Sequence, residues 1–432
     1  MLIGKKLKQD RRVSQAKKLL REAVAEHQQE ITEVRPPRDT PLLYEEVERV
    51  RGSGLVYPYL SSGIGNGCLV ELIDGSVKYD FTCGIGQIPA HSDLDLMESG
   101  IDAALDDTVI QGNLQQTAEP IELMRRLCEL SGLDHCYLTS SGVMAVENAM
   151  KICFQKNYPR YRVLAFSHDF AGRTLSVGRV TDRPGYREGL PPNIAVDYIP
   201  FDDPKEALRR LHEHLRRYPG EHAMMIMELV QGEGGFNVGE AKFFQELCDV
   251  LHEQGIFVIV DEVQTFARTE QLFAFHHFGL QEKADVVTIG KVSQVCATLW
   301  RDELQPRPGL IAQTFTSSSS AIRACHTILD KLNDGDRWGP KGHHRRLHDH
   351  FVKKLRFTRH VKGPYGIGLM MALTPFDGSK ERVTEILHKL FEKGVVAWRC
   401  GGDPERIRFL PPPLAVTKDD IDAVLAILKE CL

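Results

Sequence analysis

Two charged residues each close a short apolar run: Asp261 follows Ile256-Phe-Val-Ile-Val260, and Lys291 follows Val286-Val-Thr-Ile-Gly290. The runs have the length and β-branched content of strands buried on both faces. Open α/β sheets place ligands outside the carboxyl ends of parallel strands, so Asp261 and Lys291 are expected to face one crevice. The lysine supplies an amine that can add to a carbonyl, and the carboxylate can hold a proton on a heterocyclic nitrogen. For an isolated pair the plainer alternative is a capping aspartate and a solvated strand end.

The surrounding segments repeat the pattern of a buried strand followed by a polar or glycine-rich turn. Residues 135–138 form a strand that leads through Thr139-Ser-Ser-Gly-Val-Met144 into a helix over about 144–154. Small residues at a helix start let backbone N–H groups approach an anion such as phosphate, although Ser-Ser-Gly is also an ordinary N-cap. Residues 163–166 form the next strand, followed by Phe170-Ala-Gly-Arg-Thr174. A further strand over 223–228 runs into Gln231-Gly-Glu-Gly-Gly235, and an amphipathic helix over 243–254 feeds the Asp261 strand. This βα rhythm predicts an α/β fold with a mainly parallel sheet.

Pyridoxal 5'-phosphate enzymes require such a lysine and acid pair, the lysine forming a Schiff base and the acid keeping the pyridine nitrogen protonated. The run Asp261-Glu-Val-Gln264, with Arg268-Thr, Phe273-Ala-Phe275 and Thr288-Ile-Gly-Lys291, resembles the class III (ω-amino-acid) aminotransferases of fold type I. The likeness extends from about Leu69 to Leu432. It implies a large cofactor domain over 91–330 and a small α/β domain from both chain ends, 41–90 and 331–432; before them, the basic composition and Pro36-Pro37 to Pro41 read as a helix and linker over 1–40.

Residue by residue, the resemblance assigns Lys291 and Asp261 to catalysis and Ser141, Gly142 and Val143 to the phosphate. Glu147 and Lys151 fall on a family glutamate and lysine. Phe170 stacks on the cofactor, with Ala171 where the family often has His. Val263 lies on the opposite ring face, Gln264 reaches the phenolic oxygen, and Glu228 opens the Glu-x-x-Gln-Gly-Glu pattern. Thr314 reaches the phosphate of a neighbouring subunit, which implies a homodimer with shared sites. There the chain reads Ala312-Gln-Thr-Phe-Thr-Ser-Ser-Ser-Ser320 where the family has Thr-Phe/Tyr-Gly-Gly-Asn-Pro, so the Gly-Gly-Asn-Pro part is lost and the following serines are alternative donors, or a flexible linker by composition. Glu233, Arg408 and Ile85 fall on substrate-binding positions, with Arg408 holding a carboxylate and Glu233 gating it. For Ile85, within Gly84-Ile-Gly86, a packing turn is the alternative.

Composition bounds the partners. The chain has 432 residues, 42% hydrophobic and 26% charged, with a net charge of −5. Those values suit one large globular unit with an appendage and give no general attraction to nucleic acid. No apolar run is long enough for a membrane span. Ten cysteines without Cys-x-x-Cys spacing read as reduced thiols in the cytoplasm. The adjacent pairs His276-His277 and His343-His344 cannot face one site from a regular helix, so no metal is expected. Ser61-Ser-Gly-Ile-Gly-Asn-Gly67 leads into a hairpin at Asp74-Gly75, whereas a dinucleotide loop opens a helix. The first 21 residues carry eight Lys and Arg against Asp10 alone, and a helix over about 8–30 is expected to pack on the body.

Lys291-Val-Ser-Gln-Val-Cys296 looks closest to lysine ε-aminotransferases. The expected activity is transfer of an amino group from an ω-amino or diamino acid to 2-oxoglutarate. An aminomutase or racemase on the same cofactor, and a catalytically silent interaction protein, are the alternatives.

Overall fold

The computed structural model describes residues 2–39, 41–333, 335–356 and 358–432. The chain forms two compact units. One comprises Asp107–Arg345 with Tyr365–Gly368, and the other Met1–Asp106, Arg346–Pro364 and Leu369–Leu432.

The first unit is built on a seven-stranded sheet in the order His135–Thr139, Cys296–Trp300, Val286–Ile289, Phe257–Glu262, His222–Met227, Arg162–Phe166 and Ala195–Ile199. Cys296–Trp300 runs antiparallel to both of its neighbours, and the remaining pairs are parallel. Every residue of His222–Met227 and Val286–Ile289 is buried, which explains why these strands read as unbroken apolar runs. Each fully buried Val or Ile stabilises the fold by about 1.5–3 kcal/mol relative to exposure. The Gly142–Lys156 helix lies against Val286–Ile289 and Cys296–Trp300, and Thr298 Oγ1 donates to the Ala145 carbonyl at 2.8 Å.

The serine run is part of this framework, contrary to a flexible linker. Ser317–Ser318 pairs antiparallel with Ile110–Gln111, and the Ser319–Asn333 helix starts immediately after it. Ser317 and Ser319 are buried, and Ser319 Oγ bonds Gln111 Nε2 at 2.7 Å and the Thr108 carbonyl at 2.5 Å. Short hydroxyl side chains can take such places, since they fill little volume and satisfy nearby backbone groups.

In the second unit, Ser61–Asn66, Leu69–Leu72 and Val77–Asp80 form an antiparallel meander joined in parallel by Val395–Val396. Glu405–Phe409 pairs antiparallel with Met370–Pro375 and with Trp398–Gly401. Leu72, Phe81, Met371, Leu390, Phe409 and Leu425 belong to one buried cluster that includes residues of the Lys380–Glu392 and Lys418–Cys431 helices. The basic segment is paired with acid. Lys17 reaches Glu98 and Asp102 at 2.9 Å, Arg21 reaches Asp95 at 2.8 Å, and Lys8 reaches Asp106 at 2.6 Å, tying Ile3–Lys8 and Arg11–Gln28 to the region of Leu94–Ala104.

After Val77–Asp80 the backbone turns left-handed for four successive residues: Cys83 (φ +51°), Gly84 (+59°), Ile85 (+70°) and Gly86 (+87°). For L-residues this conformation costs about 1–2 kcal/mol each, and a β-branched residue seldom adopts it.

Candidate active site

Asp261 and Lys291 stand at the carboxyl ends of neighbouring parallel strands, Phe257–Glu262 and Val286–Ile289. Asp261 is directly opposite Thr288, whose hydroxyl donates to its Oδ1 at 3.1 Å, and the Val263 amide donates to the same oxygen at 2.9 Å. Burial pushes the Asp261 carboxyl up to about 6, against the pull of the Val263 amide, the Lys291 charge and the Thr288 hydroxyl. Lys291 follows a fully extended Gly290 and itself sits at φ +55°. A non-glycine residue held there costs on the order of 1–3 kcal/mol, and such outliers cluster at active sites.

Three glycines clear space around the residues after Asp261. A Cβ on Gly142 would lie 2.7 Å from Val263 Cγ1, and one on Gly290 would lie 2.8 Å from Cys296 Sγ and 3.2 Å from Val263 Cγ1. One on Gly232 would come within 2.4 Å of Gln264 Oε1. Val263 is therefore seated between two backbones that must lack side chains. Among the described residues the buried side-chain Oε1 of Gln264 has no hydrogen-bond partner, so the side-chain amide has accepting capacity left for a bound group.

Ser141 caps the 15-residue Gly142–Lys156 helix, with Oγ accepting from the Met144 amide at 3.4 Å. The remaining first-turn amides have no intrahelical partner, and with Ser141, Gly142 and Val143 only half-buried they offer an anion site. Glu147, one turn on, accepts from the Thr174 hydroxyl at 2.5 Å.

Phe170 is held through its backbone, its amide donating to Glu228 Oε2 at 2.9 Å. The ring meets Tyr186 edge-on at 6.3 Å, and Arg173 lies over the Tyr186 ring at 3.8 Å. The substitution at Ala171 leaves this loop intact, because Thr181 Oγ1 accepts from the Ala171 and Gly172 amides at 3.0 and 3.1 Å and donates to the Gly172 carbonyl at 2.8 Å.

Asp169 was not among the expected site residues. Its Oδ2 accepts the Glu228 amide at 3.3 Å and its Oδ1 accepts Gln231 Nε2 at 2.9 Å, while Glu228 accepts the Phe170 and Gly232 amides. Each carboxylate thus takes a backbone N–H from the other's loop, which fastens the Phe170 turn to the Glu228–Gly235 turn. Glu233, half-buried on the second turn, has its carbonyl bonded by Arg183 Nη2 at 2.6 Å. An aspartate before an aromatic residue carries no local signal for this arrangement, since its partner is 59 residues away.

Burial, together with repulsion from Asp261, pushes Glu228 up to about 8; burial and Glu228 push Asp169 well above the carboxylate range. Folded-state values raised above unfolded ones mean the folded chain binds more protons across this window. Stability is then fullest below the unfolded values and falls as pH rises through the folded ones. The cofactor-free protein should therefore lose thermal stability as pH rises from about 5 to about 8. Glu228→Gln should flatten the upper part of that slope. Melting curves at several pH values test this, and an identical slope in the variant would contradict the raised Glu228 value.

Thr314 is exposed beside a pocket of about 570 Å³ that Ile110, Gly112, Leu114 and Gln313 also line. Gly112 passes so close to Thr314 that a Cβ there would meet the Thr314 carbonyl oxygen at 2.1 Å. The expected cofactor residues and Glu233 thus all belong to the first unit. Arg408 and Ile85 belong to the second. Arg408 is 1% exposed, on Glu405–Phe409 opposite Ala372 and Trp398, and Ile85 is half-buried in the left-handed turn.

The family model of class III aminotransferases matches residues 58–432. This chain is a class III aminotransferase. The acetylornithine aminotransferase of Methanocaldococcus jannaschii is 31% identical over 390 residues, covering 85% of this chain and 92% of that one. The acetylornithine aminotransferase of Archaeoglobus fulgidus is 28% identical over 372 residues, covering 84% and 93%. Among solved structures, ornithine aminotransferase from Toxoplasma gondii superposes with a TM-score of 0.77 at 22% identity, covering 91% of this chain and 94% of that one. Lysine aminotransferase from M. tuberculosis does so with a TM-score of 0.76 at 22% identity, covering 90% and 99%. The fold is that of fold type I, and the cofactor of this aminotransferase is pyridoxal 5'-phosphate. The residues fit it: a buried carboxylate for the ring nitrogen, an unsatisfied amide, a helix start for the phosphate and a lysine at the strand edge. Among the described residues no helix is long and apolar enough to cross a membrane.

Proposed function

We propose that this aminotransferase takes the amino group of an ω-amino or diamino acid, of the ornithine, acetylornithine or lysine type, and passes it to 2-oxoglutarate. The observation that carries this reading is the 31% identity over most of both chains with an acetylornithine aminotransferase. The resemblance of the segment after Lys291 to lysine aminotransferases keeps lysine in the donor set.

When bound, the cofactor supplies an electron sink for the bonds at the amino carbon. In this reading Lys291 is the amine that carries the cofactor and moves the proton at the substrate carbon. Asp261, ionised, holds the proton on the ring nitrogen. Phe170 and Val263 cover the two ring faces and exclude water, and Gln264 bonds the phenolic oxygen. Ser141, Gly142 and Val143 take the phosphate through the helix start. Glu228 contributes by fixing the Phe170 amide.

Thr314 is proposed to serve a second copy's phosphate. Support comes from the exposed apolar residues close to it in sequence and pairing: Val109 at 67%, Ile110 at 55%, Leu114 at 103% and Phe315 at 44%. Such a patch marks an interface, so a homodimer is proposed. Cytoplasmic placement is supported by the ten free cysteines.

A panel of amine donors with 2-oxoglutarate, followed by glutamate formation, tests the activity. Turnover without any 2-oxo acid would point instead to an intramolecular amine shift or racemisation. Arg408 and Glu233 are proposed to serve the two substrates in turn. Arg408→Ala should weaken the 2-oxoglutarate half-reaction by about 10²-fold, more than the donor half-reaction, because losing a bidentate carboxylate contact costs about 2–5 kcal/mol. Glu233→Ala should improve glutamate as a donor relative to ω-amines. Equal losses in both half-reactions for both variants would remove the pair from substrate selection.

A further inference from the structure

Asp169 and Glu228 follow the neighbouring parallel strands Arg162–Phe166 and His222–Met227, so their turns leave the same edge of one sheet. Both side chains are buried, and an N–H group meets each of their four oxygens. Glu228 Oε2 and Oε1 accept the Phe170 and Gly232 amides at 2.9 and 3.0 Å. Asp169 Oδ2 and Oδ1 accept the Glu228 amide and Gln231 Nε2 at 3.3 and 2.9 Å. Gln231 is held in that orientation, because its Nε2 also donates to the Ser167 carbonyl at 2.7 Å and its Oε1 accepts Asn237 Nδ2 at 3.1 Å. The two turns touch backbone to side chain: a Cβ on Gly234 would lie 2.8 Å from Gln231 Cβ and 3.0 Å from the His168 carbonyl oxygen.

This arrangement needs an acceptor at all four places. Each oxygen of a carboxyl keeps a lone pair whether or not the group is protonated, whereas an amide nitrogen has none to offer. Asparagine at 169 would fill the same volume but set its NH₂ against the Glu228 amide or Gln231 Nε2, so packing alone does not account for the aspartate. The partners of Glu228 show what is being held. One is the Phe170 amide, and the other, Gly232, passes so close to Gln264 that a Cβ there would lie 2.8 Å from Gln264 Cδ. We propose that Asp169 is a positioning residue for the cofactor ring: by fixing Glu228 it sets Phe170 over one ring face and Gly232 against the Gln264 side chain. This rests on the assignment of Phe170 and Gln264 to the ring. The phosphate end is assigned to a different element, the start of the Gly142–Lys156 helix.

The test titrates the cofactor-free protein with pyridoxal 5'-phosphate and, separately, with inorganic phosphate. Asp169→Asn should raise the Kd for the cofactor about tenfold, because a buried N–H is left facing another donor. Its Kd for inorganic phosphate should stay that of the wild type. At saturating cofactor the visible circular dichroism of the variant should differ from the wild type, since the ring is seated in an altered frame. Phe170→Ala should also weaken cofactor binding, and Asp169→Asn should cost less in that background than in the wild type. Should Asp169→Asn fail to fold, Gln231→Met, which removes one donor from Asp169, should shift both cofactor readouts the same way by a smaller factor. Wild-type cofactor affinity and dichroism in Asp169→Asn, or in Gln231→Met where that variant replaces it, would overturn the positioning role. So would equal weakening of cofactor and inorganic phosphate, or fully additive losses in the double variant. Wild-type cofactor affinity in Phe170→Ala would instead defeat the assignment of Phe170 to the ring.

Discussion

Lys291→Ala should lower turnover by about 10⁴-fold or more, since it removes both the attachment point and the proton carrier, and the proton-transfer share alone is about 10²–10⁴-fold. The fold should survive. Alanine meets the same φ of +55° that lysine already accepts, and the buried strand before it is untouched. Two measurements separate loss of chemistry from loss of structure. The melting temperature of the cofactor-free variant should match the wild type, and borohydride treatment of the loaded variant should leave no cofactor bonded to the chain. Near wild-type turnover, or a cofactor still attached after reduction, would place the nucleophile elsewhere.

Asp261→Asn should have the next largest effect, a fall in kcat of about 10³-fold with the cofactor still bound. The amide keeps an oxygen for the Val263 N–H and the Thr288 hydroxyl, so local geometry is conserved. It cannot become an anion, and a neutral partner does not hold a proton on the ring nitrogen. The wild-type carboxyl is raised to about 6 by burial, and ionising it is easier when a cationic nitrogen lies opposite. Cofactor content and single-turnover rates decide the matter. A variant with full cofactor and a wild-type rate would remove Asp261 from the mechanism.

Local pattern was sufficient for the parts of this aminotransferase that depend on burial and helix-end chemistry. Strands buried on both faces must be continuous apolar runs, so the places of Asp261 and Lys291 at strand ends could be read directly. The Ser141-Gly-Val143 start of a helix was legible because short polar residues before an apolar helix are capping signals. Motif likeness then supplied expectations that no periodicity contains, such as the role proposed for Gln264.

Other features were decided only by the folded chain. Cys296–Trp300 enters the sheet antiparallel, which its composition does not encode because a buried strand looks alike in either direction. The serine run became strand and helix start because Ile110–Gln111 offered it a partner some 200 residues away in sequence. Asp169 and Glu228 exchange backbone hydrogen bonds across loops, and Asp80 accepts the Tyr59 hydroxyl from 21 residues away as well as the Thr82 and Cys83 amides. Hydrophobic periodicity records which face of an element is buried, and so it is written into neighbouring residues. A buried carboxylate's choice among distant amides is not, since any acceptor brought within reach would serve, and only tertiary packing determines which amides arrive.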